Sequence, residues 1–268
     1  MMLGARTGAW AKSGSPTPAA YGGLCFTADA DNSSVQLTAV GSAPAVTLVK
    51  SFDGVNWEAY AVGEVIDLPS TGDFVYFAAG EGGNETFASS SSKYHKFVIN
   101  GLVAASGDIT SIRRFDLEQT PLANLCYFSI FRDCTGLTSA PELPATTLAS
   151  SCYRYMFSGC TGLKSAPELP ATTLMVTCYG YMFQGCTGLM SAPELPATKL
   201  GRNSYIRMFE GCTNLSLIKV RLTTWGGSQT ASWVSGVSPT GTFYKPSALP
   251  EEYGTGRIPT GWTVVNID

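Results

Sequence analysis

Between residues 24 and 106 apolar and polar positions alternate with a period of two. The runs LCFTA, VQLTAV, VTLVKSF, WEAYAV, FVYFAA and KFVINGLV are β-branched or aromatic, and turn signals such as Asp53-Gly54 and EGGNE separate them. Alternation places every second side chain on one face of a strand, so these runs predict six or more short strands. Strands at this spacing predict an antiparallel β-sandwich of immunoglobulin-like size. After about residue 107 the period changes. Leu148, Cys152, Tyr155 and Met156 follow i, i+4, i+7, i+8, the apolar stripe of a short helix, with Phe157 on its edge. SGCTGL then supplies a glycine turn. Leu163, Ala166 and Leu169 lie on an extended segment that Pro167 and Pro170 keep short. The predicted unit is a helix, a turn and a brief strand.

That unit recurs. CTGLTSAPELPATTLASSCYRYMFSG (134–159) is nearly repeated by CTGLKSAPELPATTLMVTCYGYMFQG (160–185). Cys134, Cys160, Cys186 and Cys212 stand 26 residues apart, and Cys126, Cys152 and Cys178 keep the same period, reaching Ser204 at the fourth place. A fixed period of this length marks a solenoid, in which each repeat buries its apolar face against its neighbours. The predicted fold is therefore mixed α and β: the antiparallel sandwich, then a short solenoid with stacked strands on one side and helices on the other, then a β-rich C-terminal cap. The predicted divisions are an N-terminal arm over 1–23, the sandwich over 24–106, the solenoid over 107–237 and the cap over 238–268. Three repeats are clear, with degenerate copies at TPLANLCYFSIFRD and CTNLSLIKVRLTTW, and such a short array needs both ends covered. Trp225, Trp233 and Trp262 are the residues expected to cover the open C-terminal end.

MFSGCTGLKSAPELPATTL resembles the BspA-like branch of leucine-rich-repeat proteins, found in gut and oral anaerobes and in their phages and prophages. The likeness covers about residues 110–237 and implies a curved right-handed solenoid used for adhesion, without catalysis. The opening MLGARTGAWAKSG is similar to the start of structural proteins of phages and prophages of gut anaerobes, where the tip of the chain anchors to the virion. Together these imply a virion structural protein, a tail or head fibre or other receptor-binding component. Its expected partners are other virion proteins, through the N-terminal segment, and a bacterial surface glycan or protein. The resemblance to fibre proteins implies a homo-oligomer, since fibres and spikes are often trimers. The alternative is a bacterial cell-surface or secreted adhesin of the same repeat family, which needs an export signal. The opening segment has Arg6 and Lys12 but no following block of about 7 to 15 apolar residues, so it does not read as a secretory signal.

Composition narrows the partners. Of 268 residues, 44% are hydrophobic and only 14% charged, a profile that favours β-rich or repeat architecture. The net charge of −3 offers no basic field for phosphate, so nucleic acid is not expected. No window approaches the roughly 18 to 20 apolar residues of a membrane span, and a soluble chain without membrane insertion is expected.

The candidate chemistry is sparse. The cysteine columns read most simply as small apolar plugs at inward sites, because free cysteine is among the most buried residue types. A disulfide ladder fits less well, since columns of three and four cannot pair completely and Ser204 stands in one of them. No CxxC pair occurs and the single histidine, His95, lies outside the repeats, so no metal or cofactor is expected. His95 falls in a predicted strand and reads as a solvated strand histidine, not half of a dyad. SFDGVNW (51–57) comes near an Asp-box but lacks one residue, and reads as a hairpin turn. No P-loop, GxSxG or HExxH occurs. Glu142, Glu168 and Glu194 recur within APELP, and paired carboxylates can serve glycoside hydrolysis; identical surroundings give no means of splitting acid from base, so a solvated row is the simpler reading. Positions 164 and 190, Lys and Met, vary as an exposed site would. Tyr127, Tyr153, Tyr179 and Tyr205 also recur. They form, with the glutamates, the candidate binding surface, because stacked tyrosines can hold sugar faces or side chains; the same row can instead pack between successive helices.

Overall fold

A computed structural model describes residues 21–267, so the proposed arm over 1–23 and the phage-like opening lie almost entirely outside the described residues. The alternating runs form nine strands: β1 (Cys25–Ala28), β2 (Ser33–Val40), β3 (Leu48–Ser51), β4 (Glu58–Tyr60), β5 (Val65–Leu68), β6 (Phe74–Ala79), β7 (Ala88–Ser90), β8 (Lys93–Asn100) and β9 (Val103–Ser106). One antiparallel sheet has the order β5-β2-β8-β7. Across from it β9-β1-β6-β3-β4 are also antiparallel neighbours. The inward positions of the alternation meet between the sheets. Phe26 of β1 and Phe77 of β6 lie 4.8 and 5.5 Å from Phe97 of β8, ring centre to ring centre.

The helical expectation for the repeats is wrong. Among the described residues there is no α-helix, only a 3-10 turn at Ile109–Ile112, and the fold is nearly all β with a β-solenoid in place of the helical leucine-rich repeat. The reason lies in the backbone hydrogen bonds. Along residues 149–160 Cys152, Arg154, Met156, Ser158 and Cys160 donate three residues back, to the carbonyls of Ala149, Ser151, Tyr153, Tyr155 and Phe157. The intervening amides leave the repeat: Ser151, Tyr153, Tyr155, Phe157 and Gly159 donate to the carbonyls of Val176, Cys178, Gly180, Met182 and Gln184 in the next one, at 2.8 to 3.1 Å. An α-helix uses every interior amide within itself. Here half are committed to the neighbouring turn, as in a sheet.

The resulting ribbon is a chain of overlapping tight turns. It needs a left-handed backbone at every fourth residue, found at Ser151, Tyr155 and Gly159, at Thr177, Tyr181 and Gly185, and at Asn203, Arg207 and Gly211. Its side chains accordingly run two in and two out. Cys152 and Tyr153 are buried, Arg154 and Tyr155 half-buried, Met156 and Phe157 buried. A period of four and a period of 3.6 coincide over two turns, which is why the stripe read as helical.

The opposite side of the solenoid carries β10 (Leu137–Ser139), β11 (Ser191–Leu195), β12 (Leu217–Val220), β13 (Thr242–Lys245) and β14 (Thr263–Asn266). β10 extends the sandwich by pairing in parallel with β9, and β11 to β14 form a separate parallel sheet in chain order. The second repeat contributes no strand between them.

Sandwich and solenoid share one core. The amides of Phe87 and Phe97 donate to Cys126 and Ile130 carbonyls, and their rings stack on Tyr127 and Phe131. The far end is closed by tryptophans. Trp233 is fully buried and stacks 6.0 Å from Tyr205, while the indole N–H groups of Trp225, Trp233 and Trp262 donate to the carbonyls of Pro250, Arg257 and Ser238.

Candidate functional site

The tyrosine row proposed as a binding surface is inside the molecule. Tyr127, Tyr153, Tyr179 and Tyr205 are each 1% exposed, and successive rings are 5.6, 5.9 and 6.2 Å apart and within 9° of parallel. Their phenols are pushed well above the usual range by burial. A second inward row, Phe131, Phe157, Phe183 and Phe209, runs beside them at 5.4 to 5.7 Å. At these spacings the rings are offset-stacked, and each pair contributes about 0.5 to 1.5 kcal/mol beyond burial alone. The tyrosines are structural, and the surface reading of them is withdrawn.

The cysteines lie in the same interior. All eight are buried and none forms a disulfide. Cys134, Cys160, Cys186 and Cys212 each donate a thiol hydrogen bond to a phenylalanine carbonyl one turn back, Phe97, Phe131, Phe157 and Phe183, at 3.1, 3.0, 3.0 and 2.9 Å. Burial pushes the thiols of Cys126, Cys134, Cys178 and Cys212 up to about 12 and those of Cys152, Cys160 and Cys186 well above their ordinary value. Thiols so far from ionisation are poor nucleophiles and poor metal ligands.

Glu142, Glu168 and Glu194 do form an exposed row. Glu194 accepts from Lys219 and Arg221, both at 2.9 Å, and these bonds hold its carboxyl below the usual range. Glu168 and Glu194 border a 420 Å³ groove with Pro170, Pro193 and Pro196. His95 is on a strand but is not solvated as expected: it is buried at 3% exposure beside the Phe87 carbonyl, and burial lowers its pKa. In SFDGVNW, Asp53 closes the β3–β4 connection by accepting from the Val55 and Asn56 amides. A larger depression, of 540 Å³, lies against Trp57 and Phe115, but its cation, Arg114, is already held by Asp116 and Glu118 at 3.1 and 2.8 Å.

The outward pairs of the ribbon hold the side chains that sequence reasoning missed. Tyr155 and Tyr181 occupy one column and stack at 4.4 Å with their planes 22° apart. The Arg154 guanidinium sits beside both rings, 5.0 and 5.4 Å from their centres; Arg132 covers Tyr155 at 5.2 Å and Arg207 approaches Tyr181 at 6.0 Å. Stacking and cation–π attraction together offset the cost of placing a bulky tyrosine at a left-handed position twice running. The signal in the sequence was Tyr155 recurring as Tyr181; assigning Tyr155 to a buried helix stripe concealed it. No protein-family model, curated protein or solved structure matches this chain.

Proposed function

We propose that this chain is a non-enzymatic structural protein of a phage particle, a tail or head fibre or another receptor-binding component, whose solenoid is an adhesion surface. The observation that carries the reading is the division of each repeat. Its inward letters, Cys, Tyr, Met, Phe and Cys, scarcely change, while outward columns change: Tyr155, Tyr181, Arg207 in one, whose first member, Ser129, is buried, and Arg132, Gln184, Glu210 in another, where Ser158 is buried. A constant core under a variable skin suits a display scaffold, because the surface can be altered without disturbing the packing that supports it. Many copies on one particle turn weak contacts into avidity.

The virion half of the proposal leans on the likeness of residues 2–14 to phage structural proteins. The adhesion half leans on the BspA-like wording of residues 134–185. Mass spectrometry of gradient-purified particles induced from the source culture tests it. Abundant peptides from the repeats are expected in the particles. Peptides confined to the cell envelope would overturn the virion reading in favour of a bacterial surface adhesin built on the same repeats.

A further inference from the structure

We infer that the strip formed by Arg132, Tyr155, Arg154, Tyr181 and Arg207 is a binding site for a carboxylated saccharide, with Arg154 holding the carboxylate. The inference names the ligand class for the adhesion surface proposed above and rests on that reading for the choice of a glycan.

The charges point first to an anion. In a chain of net charge −3, Lys96, Arg132, Arg154 and Arg207 gather along one side of the ribbon against Asp133 and Glu210. Those two carboxylates are already engaged. Asp133 lies 3.5 Å from Lys96 and 3.7 Å from Arg132, and Glu210 lies 3.5 Å from Arg207 and also accepts from Gln184 at 2.6 Å. Arg154 has no such partner among the described residues, and its Nε is buried with no hydrogen bond. A half-buried guanidinium has lost part of its hydration, so an unused donor there is costly unless a ligand supplies the acceptor.

The geometry then favours a sugar acid. The planar fork of arginine matches a carboxylate through two parallel hydrogen bonds. One unpaired cation matches a single negative charge better than a dianionic phosphate monoester; a phosphodiester is monoanionic like a carboxylate, and the binding test below separates the two. Tyr155 and Tyr181 place two phenol hydroxyls side by side, neither bonded to a protein group among the described residues. A sugar acid offers ring hydroxyls beside its carboxylate to meet them. The site is also rigid. Its column is pinned by ribbon hydrogen bonds, Tyr155 N–H to the Gly180 carbonyl at 3.1 Å and Tyr181 N–H to the Ile206 carbonyl at 2.8 Å, so little ordering is needed on binding.

The test is binding of the full chain to immobilised polygalacturonate, hyaluronate and polysialic acid, with dextran as the neutral polymer and poly(glycerol phosphate) as the phosphate polymer. At least one carboxylated polymer should bind and dextran should not. Arg154→Ala should weaken binding about tenfold or more, Arg154→Lys should recover only part of it, and Tyr181→Phe should weaken it several-fold. Arg221→Ala, on the strand side of the solenoid, should leave binding unchanged. Unchanged melting midpoints show that the variants are folded. Failure to bind all three carboxylated polymers, equal binding by folded Arg154→Ala, or preference for the phosphate polymer would each overturn the inference. Carboxylate binding by a protein absent from particles would keep the site and remove the virion reading; a virion protein with no such binding would do the reverse.

Discussion

Ser204 occupies the place where the column of Cys126, Cys152 and Cys178 next falls, and it is fully buried with no hydrogen-bond partner for its hydroxyl. Leaving a hydroxyl dry and unpaired costs about 1 to 3 kcal/mol. A thiol at the same place tolerates an apolar environment, as the buried cysteine of the preceding turn, Cys178, does. Part of the gain is lost if the larger sulfur crowds its neighbours. Ser204→Cys is therefore expected to stabilise the protein by about 1 to 2 kcal/mol, a rise of roughly 2 to 8 °C in melting midpoint for a chain of this size. Cys178→Ser should reverse the effect by a similar amount. Both belong in thermal and guanidinium unfolding under a reducing agent, so that no disulfide forms. If Ser204→Cys lowered the midpoint while Cys178→Ser left it unchanged, the account of the column as an apolar slot would be refuted.

Gly188 should not accept a side chain: a Cβ would lie 2.5 Å from the Thr161 carbonyl oxygen and 2.9 Å from that of Leu163, both backbone atoms of the preceding turn, so Gly188→Ala should cost about 1 to 3 kcal/mol in guanidinium unfolding. Native protein at pH 8 should show no thiol reactive toward an aromatic disulfide reagent, and all eight once unfolded. Because the unfolded thiols titrate near 9 and several folded ones near 12, the folded protein retains protons that the unfolded chain sheds; stability should be level below pH 9 and fall as pH rises from there, read as a declining urea midpoint. His95 has the opposite sign. Its depressed pKa means the unfolded chain takes up a proton first as pH drops below about 6.5, so stability should be lost on acidification, and His95→Gln should flatten that part of the profile.

The 26-residue period was legible because each repeat must match its neighbours letter by letter, and the sandwich strands were legible because alternation has no common rival. Helix and turn ribbon were not separable by the stripe alone. Leu148, Cys152, Tyr155 and Met156 fit a helix over two turns, and what breaks the tie is Phe157, an apolar neighbour beside an apolar residue, together with Cys152-Tyr153 doing the same four residues earlier. Two in and two out is a period of four. A helix would carry such a pattern round its own axis, whereas a ribbon that exchanges alternate amides with its neighbours keeps it in place. The same misassignment bears on both tyrosine columns. The Tyr153 row, open to a surface or a packing role in the sequence, is in the core, while Tyr155, placed on the buried helix stripe, faces the arginines. Arg154 without a partner could not have been read from sequence, since pairing depends on which outward columns lie within reach.

The cysteine and aromatic rows also explain why the sandwich precedes the solenoid. An isolated first turn would present Tyr127, Phe131 and Cys134 to water, together with the unpaired polar backbone of the ribbon. The sandwich supplies a preceding turn in disguise. The Phe87 and Phe97 rings begin the tyrosine and phenylalanine stacks, their amides meet the ribbon, and the Phe97 carbonyl accepts from the Cys134 thiol as the Phe131 carbonyl accepts from Cys160. Trp233 ends both rows at the other side, lying 6.0 Å from Tyr205 and 6.2 Å from Phe209. Between these ends the buried tyrosine and phenylalanine rows of each turn stack on the next in the same way, so the number of turns is not fixed by those rows. What distinguishes one turn from another is left to the outward columns, and there the stacked Tyr155 and Tyr181 with an unpaired Arg154 are the side chains that packing alone does not explain.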